Sequence, residues 1–510
     1  MVTGRPRPGV HNAAMAAVAE TDQPAALPDA AARAAPARRR IATNFLTLAG
    51  TSVLGLAITI LISVYVRRVL GPAATGQVMW AMAAVGYLTV LATPGLATVG
   101  QREIARAPER GERLLALVLT LQTLLAALVY GLVLVVAAFE PRGPTVGLLL
   151  AVQGLALFLA AWNNGWVLQA HERMVAPSLT ALAFNALQLP VLVVLVNAPD
   201  DLVLYAAIAL PFTFAGIVWN FWYLSRRRLV RLRALRPTLA GTRGLFREAW
   251  PLALAQAAVL VTLHSGTLVL GVTDGDEAVG QFASAFRLMM VAAVITAALW
   301  NAYFPAFARS HDKPAEAAAL SREYLGLLAW MGLPVAALGW ALGRHVIELL
   351  YGPAFAPAGR YFEWLCLAIG LTFMNYGLVA TLVPWGRGDL QFRITAVAAV
   401  LNLVLCLVAI PIYGPWGAVA ATLASELLIV VLGLVVRRRM HLFWHPVLPV
   451  VAPPLFCSAV VAAALVALPA SLDSLWPVQL LAGASVLAAC LAFFEGRALK
   501  DLWHTFRTRG

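Results

Sequence analysis

The feature that most limits what this chain can become is a succession of apolar runs, each about twenty residues long, from residue 44 almost to the C-terminus. Short polar breaks separate them. Hydrophobic residues make up 61% of the sequence and charged residues 12%, with a mean hydropathy of +0.81. A soluble domain is nearer half apolar and a quarter charged, and no water-soluble interior holds so much apolar side chain. Inside hydrocarbon each backbone N–H and C=O must be bonded within the protein, so runs of this length are helices. The expected fold class is therefore all-α: a polytopic membrane protein with about fourteen transmembrane helices, arranged as two six-helix lobes plus two C-terminal helices.

Candidate spans lie at 44–66, 77–99, 114–138, 145–168, 176–197 and 202–223, then at 250–272, 279–305, 323–343, 361–383, 391–412 and 415–436, and finally at 445–468 and 475–495. This divides the chain into a disordered cytoplasmic tail at 1–40, an N-terminal lobe at 41–223, a basic linker at 224–248, a C-terminal lobe at 249–440, and two extra helices with a cytoplasmic tail at 441–510. The tail is rich in Ala, Pro and Arg and lacks the apolar core of a secretory signal. A weak internal repeat supports the two halves. Val69-Leu70-Gly71, followed by Gly76-Gln77, is echoed by Val269-Leu270-Gly271, followed by Gly280-Gln281; chance similarity in so apolar a chain competes with that reading. Pro94, Pro190, Pro211 and Pro334 fall within spans, where a proline removes a backbone bond and kinks a helix.

The net charge of +13 is almost wholly arginine, the lysines being Lys313 and Lys500. Neither follows a glycine, so no phosphate-binding P-loop is present, and any transport is secondary or is fuelled through another subunit. Apart from Arg67, Arg68, Arg142, Arg344, Arg360 and the intramembrane Arg287, every basic residue falls on the side that holds the N-terminus. By the positive-inside rule that side is cytoplasmic, both termini lie there, and the protein belongs in the cell (inner or plasma) membrane. Arginines beside apolar runs suit anionic lipid heads, and no nucleic acid partner is expected. Cys366, Cys406, Cys457 and Cys490 lack CxxC spacing and read as small apolar residues. No catalytic residue, metal or cofactor is expected.

Polar groups within spans carry what functional signal there is. A charged arginine at a helix centre costs roughly 2.5–3.5 kcal/mol on insertion scales. Arg287, in Ala285-Phe286-Arg287-Leu288, is the clearest such group. Its guanidinium either faces a central cavity and holds an anion such as phosphate, or pairs with a carboxylate or snorkels to the interface. His264 either meets substrate or protons, or bonds a neighbouring helix. Glu426, the one acid deep in a span, is the candidate for ion coupling or else an anchor of the bundle. Either Arg67 and Arg68 line an outer vestibule and Arg102, with Glu103 and Arg106, meets a lipid-linked anion, or both sets are solvated or face lipid headgroups. Gln256, Asn301, Asn375 and Asn402 are uncharged and either line a sugar path or bond between helices.

The segment Gly95-Leu96-Ala97-Thr98-Val99-Gly100-Gln101-Arg102-Glu103-Ile104-Ala105-Arg106 resembles the "GL…G.REIAR" stretch of bacterial polysaccharide and O-antigen flippases, in the multidrug/oligosaccharidyl-lipid/polysaccharide exporter superfamily. Arg68-Val69-Leu70-Gly71-Pro72, Trp250-Pro251-Leu252, Leu349-Leu350-Tyr351-Gly352 and Ile412-Tyr413-Gly414-Pro415-Trp416-Gly417 support it in order, over about 40–440. The resemblance implies two lobes around a cavity that alternates between inward-open and outward-open states. It also implies a cargo of undecaprenyl-diphosphate-linked oligosaccharide, destined for surface polysaccharide such as lipopolysaccharide. Cavity arginines would meet the diphosphate, Arg287 first, then Arg67, Arg68 and Arg102. Polysaccharide polymerase and chain-length machinery are the protein partners to expect. The rivals are a multidrug or metabolite cation antiporter, which should favour intramembrane acids, a peptidoglycan-precursor flippase, which the fourteen spans leave open, and a membrane-embedded polymerase, which would need a large polar loop.

Overall fold

The computed structural model describes residues 30–509 apart from 174, 232–234, 239–240, 311–312, 441–446 and 469–474. Most of the tail expected at 1–40 lies outside the described residues, and the first helix begins within it, at Ala30. The elements are α1 (Ala30–Ala92), α2 (Leu96–Arg106), α3 (Gly111–Ala138), the consecutive pieces α4 (Pro144–Gly154), α5 (Ala156–Trp162) and α6 (Gly165–Ala170), α7 (Val175–Leu195) and α8 (Leu202–Arg226). There follow α9 (Thr242–Thr273), α10 (Gly275–Arg309), α11 (Pro314–Tyr351), α12 (Ala356–Leu378), α13 (Gly388–Tyr413), α14 (Pro415–Met440), α15 (Leu448–Val466) and α16 (Trp476–Arg509). Among the described residues, 12 helical segments are long and apolar enough to cross a membrane, and the shorter Trp476–Ala492 follows them. The first of the 12 is itself two helices merged across a kink at Gly71. The expected all-α polytopic architecture, with about fourteen apolar helices, is what the chain adopts.

Local sequence sets the breaks. Prolines open α4, α11 and α14, where their missing N–H has no partner to lose. Pro190, Pro211 and Pro334 stay inside helices as expected. Pro94 does more than kink its span: the helix stops at Ala92 and restarts at Leu96. Large apolar side chains such as Leu128 (73% exposed) and Val194 (72%) point outward, the inverse of a soluble surface.

The interior holds separate cores. One gathers Val66, Leu70, Val78, Leu149, Leu192 and Ile208, and a neighbour gathers Leu96, Ile104, Leu115, Trp166, Leu224 and Leu245. The largest spans α10 to α14, with Tyr324, Tyr351, Phe355, Leu365 and Phe373 at its centre. Helices α15 and α16 lean on α11 through Trp330, Cys457, Val461 and Leu487. Helix α9 straddles the halves: Leu245 and Ala249 pack with the first, while its later turns lie against α13. The segment expected as the linker 224–248 is helical at both ends, because α8 runs to Arg226 and α9 starts at Thr242.

The halves meet at the arginine-poor end. A Cβ on Gly76 would sit 1.7 Å from the Asp276 carbonyl oxygen, and one on Gly280 would sit 1.9 Å from that of Pro72. Each glycine is thus seated four residues past the carbonyl that the other approaches, so the contact is reciprocal. The turn glycines are Gly71 (φ +73°) and Gly275 (φ +84°), a backbone region open to glycine at no steric cost. The repeat therefore pairs Gly71 with Gly275, not with Gly271 as the sequence echo suggests. Gly76→Val should push the lobes apart by overpacking, at about 1–3 kcal/mol, and lower the detergent-solubilised thermal midpoint. Gly131→Ala, which meets nothing within 4 Å, should leave the midpoint unchanged.

Candidate functional site

Beyond the glycine crossing the first stretch of α1 and the later turns of α10 border an open space with mostly apolar walls into which a few polar groups project. Arg287, on α10, is exposed and lines two adjoining cavities. One, of 310 Å³, is closed by Leu56, Thr59, Ile60 and Ser63 of α1. The other, of 630 Å³, is bordered by Met79, Met82, His264, Thr267 and Asn301. No acidic residue lines either. Among the described residues Arg287 makes no hydrogen bond or ion pair, so the carboxylate partner held open by the sequence is not there.

Arg67 lies one turn beyond Ser63 because α1 continues to the Gly71 kink, past the span end expected at 66. It is 4% exposed. Its Nε donates to Ser284 Oγ at 2.8 Å, and its Nη1 donates to the carbonyl and hydroxyl of Ser63. The guanidinium stands 5.0 Å from the Tyr351 ring centroid, while Nη2 is buried without an acceptor. Arg67 is close enough to Arg287 for the two charges to act on each other. Among the described residues neither arginine forms an ion pair. Two guanidiniums held near one another in an apolar bundle repel and remain partly unsolvated, a cost that an anion of matching geometry offsets.

The other expected residues separate. His264 borders the larger cavity and packs on Gly86, where a Cβ would lie 3.2 Å from its Nε2; its ring centroid is 6.0 Å from that of Tyr87. Asn301 borders the same cavity. Arg68 points elsewhere: it donates to the Leu350 carbonyl at 2.8 Å and to that of Leu349 at 2.5 Å, capping the end of α11 from the other lobe. Arg102 bridges Glu103 at 3.5 Å and Glu248 of α9, so its charge is already met by carboxylates. Gln256 is exposed and borders neither cavity around Arg287. Glu426 lies apart from that space, on α14, where Asn375 Nδ2 donates to its carboxylate and Thr372 bonds it as well. Asn402 donates to Ser425 Oγ at 3.1 Å, an interhelical bond. Ser63, Ser284 and Tyr351 were not singled out from the sequence. Ser63, one turn before Arg67 on the same helical face, is the one whose spacing carried a signal.

A family model described as "Polysaccharide biosynthesis protein" matches residues 41–311, more than half of the chain. The chain belongs to the polysaccharide biosynthesis protein family. That match covers α1 to α10, and with them Arg67, His264 and Arg287. A putative O-antigen transporter of Shigella dysenteriae is 24% identical over 373 residues, covering 72% of this chain and 92% of that protein. A probable lipid II flippase MurJ of Rhizobium tropici is 28% identical over 208 residues, or 39% of this chain and 38% of that one. Among solved structures, the lipid II flippase MurJ in an inward closed conformation superposes with a TM-score of 0.69 at 12% identity, covering 90% of this chain and 99% of that one. A multidrug resistance MATE transporter of the MOP superfamily in its inward-facing conformation gives 0.61 at 15%, over 78% and 98%. The fold is that shared with these solved structures, and the chain is a multi-pass membrane protein of the polysaccharide biosynthesis protein family. In a cysteine-free background, Arg287→Cys and Asn301→Cys should react readily with a charged, membrane-impermeant thiol reagent, and Arg67→Cys at least about tenfold more slowly. Equal protection of all three would show that no aqueous space reaches α10.

Proposed function

We propose that the chain is a flippase that carries an undecaprenyl-diphosphate-linked oligosaccharide from the cytoplasmic to the outer leaflet by alternating access, for surface polysaccharide synthesis. The observation that carries this reading is Arg287, a guanidinium in a cavity lined by no acid, with Arg67 buried behind the cavity wall at Ser63 and bonded to Ser63 and Ser284. A diphosphate has the charge and the planar acceptor geometry for which such forks are suited. The sugar head cannot cross hydrocarbon without a polar path, since each unsatisfied hydroxyl costs several kcal/mol. With the arginine-rich side cytoplasmic, the larger cavity extends along α10 toward that side, from Ala283 to Asn301, and the cargo enters from the cytoplasm. Outward movement of one negative charge down an inside-negative potential releases about 2.3 kcal/mol per 100 mV, which biases export. Glu426, fixed by Asn375 inside the second lobe, is the group we assign to any further ion coupling.

A cation antiporter of the same superfamily fits poorly, because its cargo would meet Arg287 in the cavity where it needs an acid. A peptidoglycan-precursor flippase is the second reading, favoured by the MurJ fold over 90% of the chain. Deletion in the native host separates the two: loss of surface polysaccharide with normal cell-wall growth supports the first, and arrested wall synthesis with lysis the second. Arg287→Ala should reduce surface polysaccharide roughly tenfold or more, the equivalent of about 1.4 kcal/mol, at unchanged protein abundance, with Arg287→Lys intermediate. Full export by the alanine variant would remove the anion site. In proteoliposomes, Glu426→Gln should abolish the response of flipping to an imposed proton or sodium gradient while sparing its response to potential.

A further inference from the structure

The first lobe contains a second polar space that the arginine site does not use. It is a crevice of 660 Å³ between α4–α6, α7 and α8. Five amide side chains line it: Gln153, Asn163, Gln169, Asn185 and Asn220. Among the described residues Gln153, Gln169, Asn185 and Asn220 form no side-chain hydrogen bond. Asn220 Oδ1 is buried and unpaired, and Asn163 Oδ1 accepts only the Gly165 N–H, at 3.0 Å. No charged residue borders the space. Amides that serve as glue between helices bond one another. Here they border one open crevice, Asn163, Gln169 and Asn185 exposed and Gln153 and Asn220 half-buried, and amides with free donors and acceptors stay within a span only where water or a ligand reaches them.

The chemistry selects a neutral, hydroxyl-rich ligand. An amide offers both a donor and an acceptor to a sugar hydroxyl, and Phe184 and Phe212 in the same wall offer ring faces for the C–H face of a pyranose. A phosphate would find no cation there, and a lipid tail would leave the amides unpaired. The crevice runs from the middle of its helices, at Gln153, Asn185 and Thr213, to the arginine-rich end, at Gln169 and Asn220. It is linked to the arginine site through two helices. Tyr205, at the start of α8, packs in the core that holds Val66 and Leu70 on either side of Arg67, and later turns of α8 form the crevice wall. Gly55 of α1 packs on Leu182 of α7, so α1 has the arginine cavity on one side and the crevice helix on the other.

We infer that this crevice is a glycan-binding site, which holds the sugars of the lipid-linked cargo while Arg67 and Arg287 hold its diphosphate. The inference rests on the flippase reading and adds where that cargo's carbohydrate is recognised. The test uses the purified full chain in nanodiscs, with lipid-linked oligosaccharide extracted from the native host and the same lipid trimmed to its first sugar. Binding is measured for the wild type, Asn185→Leu and Asn220→Leu, with Asn185→Ala and thermal midpoints as checks on folding. Each leucine variant should bind the intact cargo about tenfold more weakly, the loss of one or two hydrogen bonds, and the trimmed lipid as the wild type does. Equal loss for both forms, or no loss for either, would overturn the crevice assignment while leaving the arginine site standing. A wild type that binds neither form would overturn the flippase reading itself, and this inference with it.

Discussion

Everything in this bundle turns on two glycines that face one another where its halves touch. At Gly76 and Gly280 only a hydrogen fits between one helix and the backbone of the other, so α1 and α10 meet main chain to main chain. Small residues allow such an approach in membranes, where apolar side chains gain nothing by leaving lipid for one another. The contacts around it are paired as well. Arg67 of the first half reaches Ser284 of the second, and Trp80 of the first lies over Gly271 of the second. Arg142 adds a charged clasp, its guanidinium 3.4 Å from the Trp80 ring centroid and 3.6 Å from Asp276. Toward the other end α9 keeps contact with the first half through Gly95 and Tyr87, and the cavities around Arg287 lie between the two contacts.

The electrostatics follow from this geometry. Near the crossing arginines are spent on structure: Arg68 caps α11, and Arg142 holds Asp276. Toward the arginine-rich end Arg437, 3% exposed, donates to the Gly377 carbonyl and to Ser321. Each of these has an acceptor that accounts for its place in the fold. Arg67 and Arg287 differ. Arg142 also keeps Nη1 and Nη2 without a hydrogen bond, but it stands between the carboxylates of Glu140 and Asp276; Arg67 keeps Nη2 buried with no carboxylate beside it, and Arg287 faces a cavity lined by no acid. Charge that the fold itself does not neutralise is charge available to a cargo.

How much of this could be read from the sequence depended on whether the signal was local. The spans were legible because length and apolarity alone decide whether a helix crosses a bilayer, and Arg287 was legible because one cation interrupts an apolar run. Arg67 and Arg68 were read together, yet adjacent residues on a helix point about 100° apart, and one turned inward to Ser284 while its neighbour turned to α11. Arg102 was read as available to a lipid-linked anion because its partner Glu248 lies 146 positions away. The amide crevice went unnoticed for the same reason. Its five amides are spread over three spans, three on the first and one on each of the others, and nothing in any one span shows that they converge.

The most direct test of the central claim is a charge comparison on one lipid tail. The reconstituted protein is given fluorescent polyprenyl lipids bearing a diphosphate, a neutral sugar or a quaternary ammonium, and their movement between leaflets is followed under an imposed potential. Selective movement of the diphosphate lipid, accelerated when the far side is positive and lost in an Arg67→Ala, Arg287→Ala double variant, is the predicted result. Equal movement of the cationic lipid, or diphosphate movement untouched by the double variant, would contradict it.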